Sequence, residues 1–128
     1  MYNKSKSVTC MVIEDEVLSL EMMEDYIGRR KDLKLVGICH QLSEIKEIVE
    51  KHKPAIIFLD LKIPIGDATD FHYGMLPKTA SIVVVSGIPL NYYKGELPTG
   101  DIFELSKPVS FECFDRCVDK VLKKRGME

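Results

Sequence analysis

The sequence predicts an α/β domain: a doubly wound, five-stranded parallel sheet with shortened third and fourth helices. Three observations carry this expectation. Ala55–Leu59 is an unbroken apolar run that ends in Asp60, and the stretch AIIFLDLKIP closes at Pro64. Such a run, without alternation, fits a strand buried on both faces. Four more short β-rich runs, Val8–Ile13, Leu35–His40, Ser81–Val85 and Ile102–Leu105, are separated by helix-like segments. That alternation is the signature of right-handed βαβ crossovers.

Taken in order, a polar arm at 1–7 precedes the domain, which occupies 8–125 and is followed by a short tail at 126–128. The first strand ends in three acids, Glu14, Asp15 and Glu16. Val17, Leu20, Met23 or Glu24, and Ile27 then mark a helical stripe, widened by Leu18, Met22 and Tyr26. Arg29, Arg30 and Lys31 at its end suit the helix dipole. After the second strand, Ser43 is the expected N-cap of a short helix with Ile45, Ile48, Val49 and His52 on its buried stripe. Lys53-Pro54 ends it. Residues 65–80 contain two glycines and a proline, and 88–100 two glycines and two prolines, so both connections are expected to be short or irregular. The last helix is the clearest: Ser110 caps it, and Phe114, Cys117, Val118, Val121 and Leu122 follow the helical period.

At 128 residues, with 45% apolar and 30% charged residues, the chain is long enough for one domain with its own core. A formal net charge of −2 offers no electrostatic reason for nucleic-acid or membrane binding. Without a signal peptide or an apolar span, a cytoplasmic location is expected. Cys10, Cys39, Cys113 and Cys117 form no CxxC pair and read as buried free thiols. His40, His52 and His72 are scattered and make no ligand pattern. Lys120, Lys123, Lys124 and Arg125 suit the end of the last helix, and Tyr92-Tyr93 the packing of the fourth connection.

In an open parallel sheet, functional groups gather outside the carboxyl ends of the strands. Here those ends carry Glu14 and Asp15, then Asp60, Ser86 and Lys107. Clustered carboxylates repel one another, and a hard divalent cation such as Mg²⁺ relieves the conflict. Lys107 adds positive charge and Ser86 a hydroxyl. This set has the parts of a phosphoryl acceptor: a carboxylate nucleophile, a metal and donors for the equatorial oxygens.

Glu14-Asp15, then Asp60 with Pro64, then Ser86, then Lys107-Pro108, in order over Val8–Leu122, resembles the receiver domain of two-component response regulators. The segments VIEDEVLSLEMMEDYI and IIFLDLKIP are most similar to receivers attached to LytTR-type DNA-binding domains. The resemblance implies strand order 2-1-3-4-5. It also implies Asp60 as acceptor of a phosphoryl group from a sensor histidine kinase. Mg²⁺ would be held by Glu14, Asp15, Asp60 and the carbonyl of Lys62, Lys107 would pair with the phosphoryl, and Ser86 would couple the modification to the surface. It points further to output through a homodimer or through a C-terminal DNA-binding effector domain absent from this chain, with no nucleic acid or membrane bound by the domain itself. The expected role is a phosphoacceptor in transcription regulation, not an enzyme.

The chain departs from the family in three places, one of them the fourth helix, normally part of the output surface, which is replaced by a segment rich in Pro and Gly. The Asp60–Ser86 interval is short, and the position three before Lys107, where receivers usually carry an aromatic switch residue, is Glu104, with Phe103 beside it. Either the switch is absent or a bulge lets Phe103 substitute. A receiver-like interaction module that works without phosphorylation is the alternative reading. A phosphohydrolase of the haloacid dehalogenase type would need an aspartate where Lys62 stands. A flavodoxin-type phosphate site would be repelled by the acids at the first strand's exit.

Overall fold

The computed structural model describes residues 7–40, 44–60, 76–87 and 101–126. Their elements are β1 (Val8–Ile13), α1 (Val17–Gly28), β2 (Leu33–Cys39), α2 (Ile45–His52), β3 (Ile56–Asp60), β4 (Ser81–Ser86), β5 (Ile102–Ser106) and α3 (Phe111–Lys124). The five strands form one parallel sheet in the order β2-β1-β3-β4-β5. Most of the two connections expected to carry the shortened third and fourth helices falls at 61–75 and 88–100, outside the described residues. Ser43, Lys62, His72, Tyr92 and Tyr93 lie outside them as well. No helix among the described residues is long and apolar enough to cross a membrane.

The unbroken apolar run of β3 is explained by its place at the centre of the sheet. All five of its residues are buried. Ile56 and Phe58 pack into the layer formed by Leu20, Met23 and Ile27 of α1 and Phe114, Val118 and Val121 of α3. Ile57 and Leu59 face the other way, against Met11, Ile13, Ile45, Ile82 and Val84. Each such side chain contributes about 1.5–3 kcal/mol through burial. The stripe expected for the last helix is the buried face of α3, and Ser110 Oγ accepts the N–H of Cys113 as its cap.

Several local expectations are corrected. Val17 and Leu18 are 63% and 72% exposed, because they form the first turn of α1 at the rim of the sheet; burial begins a turn later, at Leu20. The cap of that helix is Glu16, whose carboxylate accepts the N–H groups of Leu18 and Ser19 and the hydroxyl of Ser19. Arg30 lies beyond the end of α1 and acts through contacts rather than through the dipole. Its guanidinium pairs with Asp32, Asp115 and Asp119 at 2.7–2.9 Å, tying the α1–β2 connection to α3. His52 is exposed, in the last turn of α2 just before the left-handed C-cap Lys53 (φ 46°). Cys113 is exposed, whereas Cys10, Cys39 and Cys117 are buried free thiols.

Packing of α2 depends on Gly37. The register against β1 shifts here, from Cys10↔Leu35 to Met11↔Gly37, and a Cβ at Gly37 would collide with Ile48 Cγ2. Gly37→Ala is expected to cost about 1–3 kcal/mol in urea unfolding. Adding Ile48→Ala should recover part of that loss, a coupling that unrelated sites would not show.

Candidate functional site

The sheet brings the ends of β1, β3, β4 and β5 to one rim. Glu14 follows β1 directly, and its N–H continues the ladder to the carbonyl of Cys39 at 3.0 Å. This pairing turns its side chain inward, where only 2% of the residue is exposed. Asp15, next along the chain, points to solvent. Asp60 is the last residue of β3, opposite Val85 in register, and is 3% exposed. One carboxylate oxygen from each of Glu14, Asp15 and Asp60 lies within 4.8 Å of the others.

Lys107 enters from β5. Its N–H extends the β4 pairing by donating to the carbonyl of Ser86 at 2.9 Å, and the peptide to Pro108 is cis. From this base Lys107 Nζ stands 3.2 Å from Asp60 Oδ1 and 3.7 Å from Glu14 Oε1. Ser86, also 3% exposed, ends β4 one residue beyond the register partner of Asp60. The structure therefore gathers Glu14, Asp15, Asp60 and Lys107 in one cluster, with Ser86 at the end of the neighbouring strand.

Among the described residues, three carboxylates face one ammonium, an excess of negative charge. The Glu14 carboxyl responds by holding its proton: its pKa is pushed up to about 7 by burial first, then by its hydrogen bond to Asp60 and the Asp60 charge. Lys107 and the N–H of Glu16 pull the other way and only partly offset this. The N–H of Glu16 donates to Glu14 Oε2 at 3.2 Å, which orients the Glu14 side chain. Glu16 itself points elsewhere, as the α1 cap. The sequence marks all three acids alike, and an S/T/D/N search for N-caps passes over this one. As a donor set, Glu14, Asp15 and Asp60 offer only hard oxygens, which fits Mg²⁺ in charge and chemistry.

The alternative of a bulge at the switch position is corrected. The β4–β5 register is regular, with Val83 opposite Phe103 and Val84 opposite Glu104. Phe103 packs on the α1 and α3 layer, with Lys124 Nζ 5.7 Å from its ring centre. By strand alternation Glu104 belongs to the opposite face, with Ile102. The aromatic side chain is on the wrong side of the sheet to stand in.

No protein-family model matches the chain. It is 30% identical over 57 residues to an uncharacterized response regulatory protein of Shewanella oneidensis, covering 44% of this chain and 24% of that protein. It is 23% identical over 127 residues to the transcriptional regulatory protein CitB of Klebsiella pneumoniae, covering 94% of this chain and 53% of that one. Among solved structures, the REC domain of the response regulator PhyR from Erythrobacter litoralis superposes with a TM-score of 0.70 at 20% identity, covering 94% of each chain. The chain has the fold of a response-regulator receiver domain. It spans about a quarter and about half of the lengths of the two curated relatives. The receiver fold thus accounts for the order of the sheet and for the gathering of acids at its rim.

The raised pKa of Glu14 sets the sign of a pH effect. Between the ordinary value of 4.5 and about 7 the folded receiver binds more protons here than the unfolded chain. The stabilisation from this proton is complete below 4.5 and is lost as pH rises through about 7. Unfolding of metal-free protein is expected to show this decline relative to Glu14→Gln, whose curve should be flatter over the same window.

Proposed function

We propose that this receiver accepts a phosphoryl group on Asp60 from the phosphohistidine of a sensor histidine kinase and thereby switches a partner or effector surface. The observation that supports this most is the buried Asp60 carboxylate, with Lys107 Nζ 3.2 Å from Oδ1 and two further carboxylates beside it. An oxygen of Asp60 attacks phosphorus, the bond from phosphorus to the histidine nitrogen breaks, and the imidazole leaves with the electron pair. Lys107 neutralises charge on the transferred group, and the hydroxyl of Ser86 takes a remaining oxygen.

Glu14, Asp15 and Asp60 would hold Mg²⁺, joined by the carbonyl of Lys62. The bound ion supplies positive charge to the phosphoryl oxygens. Glu14 must give up its proton to join this set, which links metal affinity to pH. The domain acts as a phosphoacceptor and not as a turnover enzyme, in the cytoplasm with its kinase. Output through a homodimer or a DNA-binding effector domain would make it a transcription regulator, a role supported by the likeness to CitB.

The alternative, a module that binds partners without phosphorylation, is favoured by Glu104 at the switch position and by the placement of Phe103 on the opposite face. A small phosphodonor with Mg²⁺ distinguishes the two. Wild-type protein is expected to take up an acid-stable, hydroxylamine-labile phosphoryl group, Asp60→Asn to take up none, and Lys107→Ala to react roughly 100-fold more slowly. Folded wild-type protein that stays unmodified, with partner binding indifferent to Asp60→Ala, would establish the alternative.

A further inference from the structure

We propose that Tyr26 of α1 is a positioning residue for Lys107, acting through the carbonyl of Val109. This rests on the phosphoacceptor reading of the site. The Tyr26 hydroxyl donates to Val109 O at 2.8 Å, across 83 residues of sequence. Val109 is two residues beyond Lys107 and only 3% exposed. Its carbonyl precedes the N-cap, Ser110, and so falls outside the hydrogen-bond ladder of α3. Tyr26 supplies the donor that the helix does not.

Lys107 to Val109 is consequently pinned at both ends. At one end the Lys107 N–H is bound to Ser86 O of β4, and at the other the Val109 carbonyl is bound to α1. A lysine side chain is long and flexible, so its ammonium is only as well placed as the backbone that carries it. The Tyr26 ring is fixed in turn. It lies 5.5 Å from the Phe111 ring and 5.6 Å from Phe114, and Phe114 stacks on Phe58 at 5.5 Å. Phe58 is two residues before Asp60 on β3. One aromatic column therefore references the backbone of Lys107 to the strand that bears the acceptor. Phenylalanine would make the same ring contacts, and only the hydroxyl reaches Val109.

The test uses Tyr26→Phe, which keeps the ring, in wild-type and Lys107→Ala backgrounds, with the rate of Asp60 phosphorylation by acetyl phosphate as one readout and Mg²⁺ affinity as another. Val121→Ala, a cavity variant in the α3 core remote from the rim, controls for loss of stability. Tyr26→Phe is expected to slow phosphorylation roughly tenfold and to leave Mg²⁺ affinity unchanged. The slowing should vanish when Lys107 is already alanine, and Val121→Ala should react at the wild-type rate. Equal slowing in both backgrounds, an unchanged rate in Tyr26→Phe, or a matching loss in Val121→Ala would overturn the proposal. A wild-type protein that accepts no phosphoryl group would instead remove the phosphoacceptor reading on which it rests.

Discussion

Glu14 and Asp60 are buried side by side, and Lys107 is the ammonium that faces both of them. Burying a charge without a partner costs several kcal/mol, so this contact is the constraint that the surrounding architecture must satisfy. A single lysine cannot fully compensate two acids with a third, Asp15, at the rim. The fold meets part of the imbalance by retaining a proton on Glu14. Among the described residues the rim still carries more carboxylates than ammonium groups.

That arrangement follows from the parallel sheet. Because every strand runs the same way, the residues at the ends of β1, β3, β4 and β5 emerge at one rim, although they are far apart in sequence. Apolar layers on both faces hold the strands in register and leave that rim as the place where polar groups concentrate. The two helices of one face add fixed points. Arg30, just past α1, is braced against α3 by Asp115 and Asp119, and the Tyr26–Phe114–Phe58 column joins both helices to β3. These contacts hold the elements that set the Lys107 ammonium beside Asp60.

Much of this was legible in the sequence, and for identifiable reasons. Ile56–Leu59 could be read as a central strand because both faces need apolar residues, and α3 because its stripe keeps the helical period to the end. The acids, Asp60, Ser86 and Lys107 were legible as strand exits. Features set by tertiary position were not. Val17 and Leu18 fit the stripe of α1 yet overhang the sheet. Arg30 reads locally as a dipole partner, while two of its three acids, Asp115 and Asp119, come from α3. Glu14 and Glu16 are the same residue type two positions apart, and only the Cys39 pairing and the helix cap separate a buried acid from a capping one. Phe103 sits next to the expected aromatic position, but the regular register of β5 turns it to the other face. No local signal links Tyr26 to Val109.

The central claim is that Glu14 and Asp60 form a buried acid pair, and the proposed function makes a divalent cation the group that would relieve its charge. Proton release on Mg²⁺ binding, measured by calorimetry in buffers of different ionisation enthalpy, tests it directly. Binding is expected to release a proton when the solution lies below the Glu14 pKa of about 7, with the release fading well above it. Mg²⁺ binding that releases no proton below that value, or no Mg²⁺ binding by the folded protein, would contradict the account.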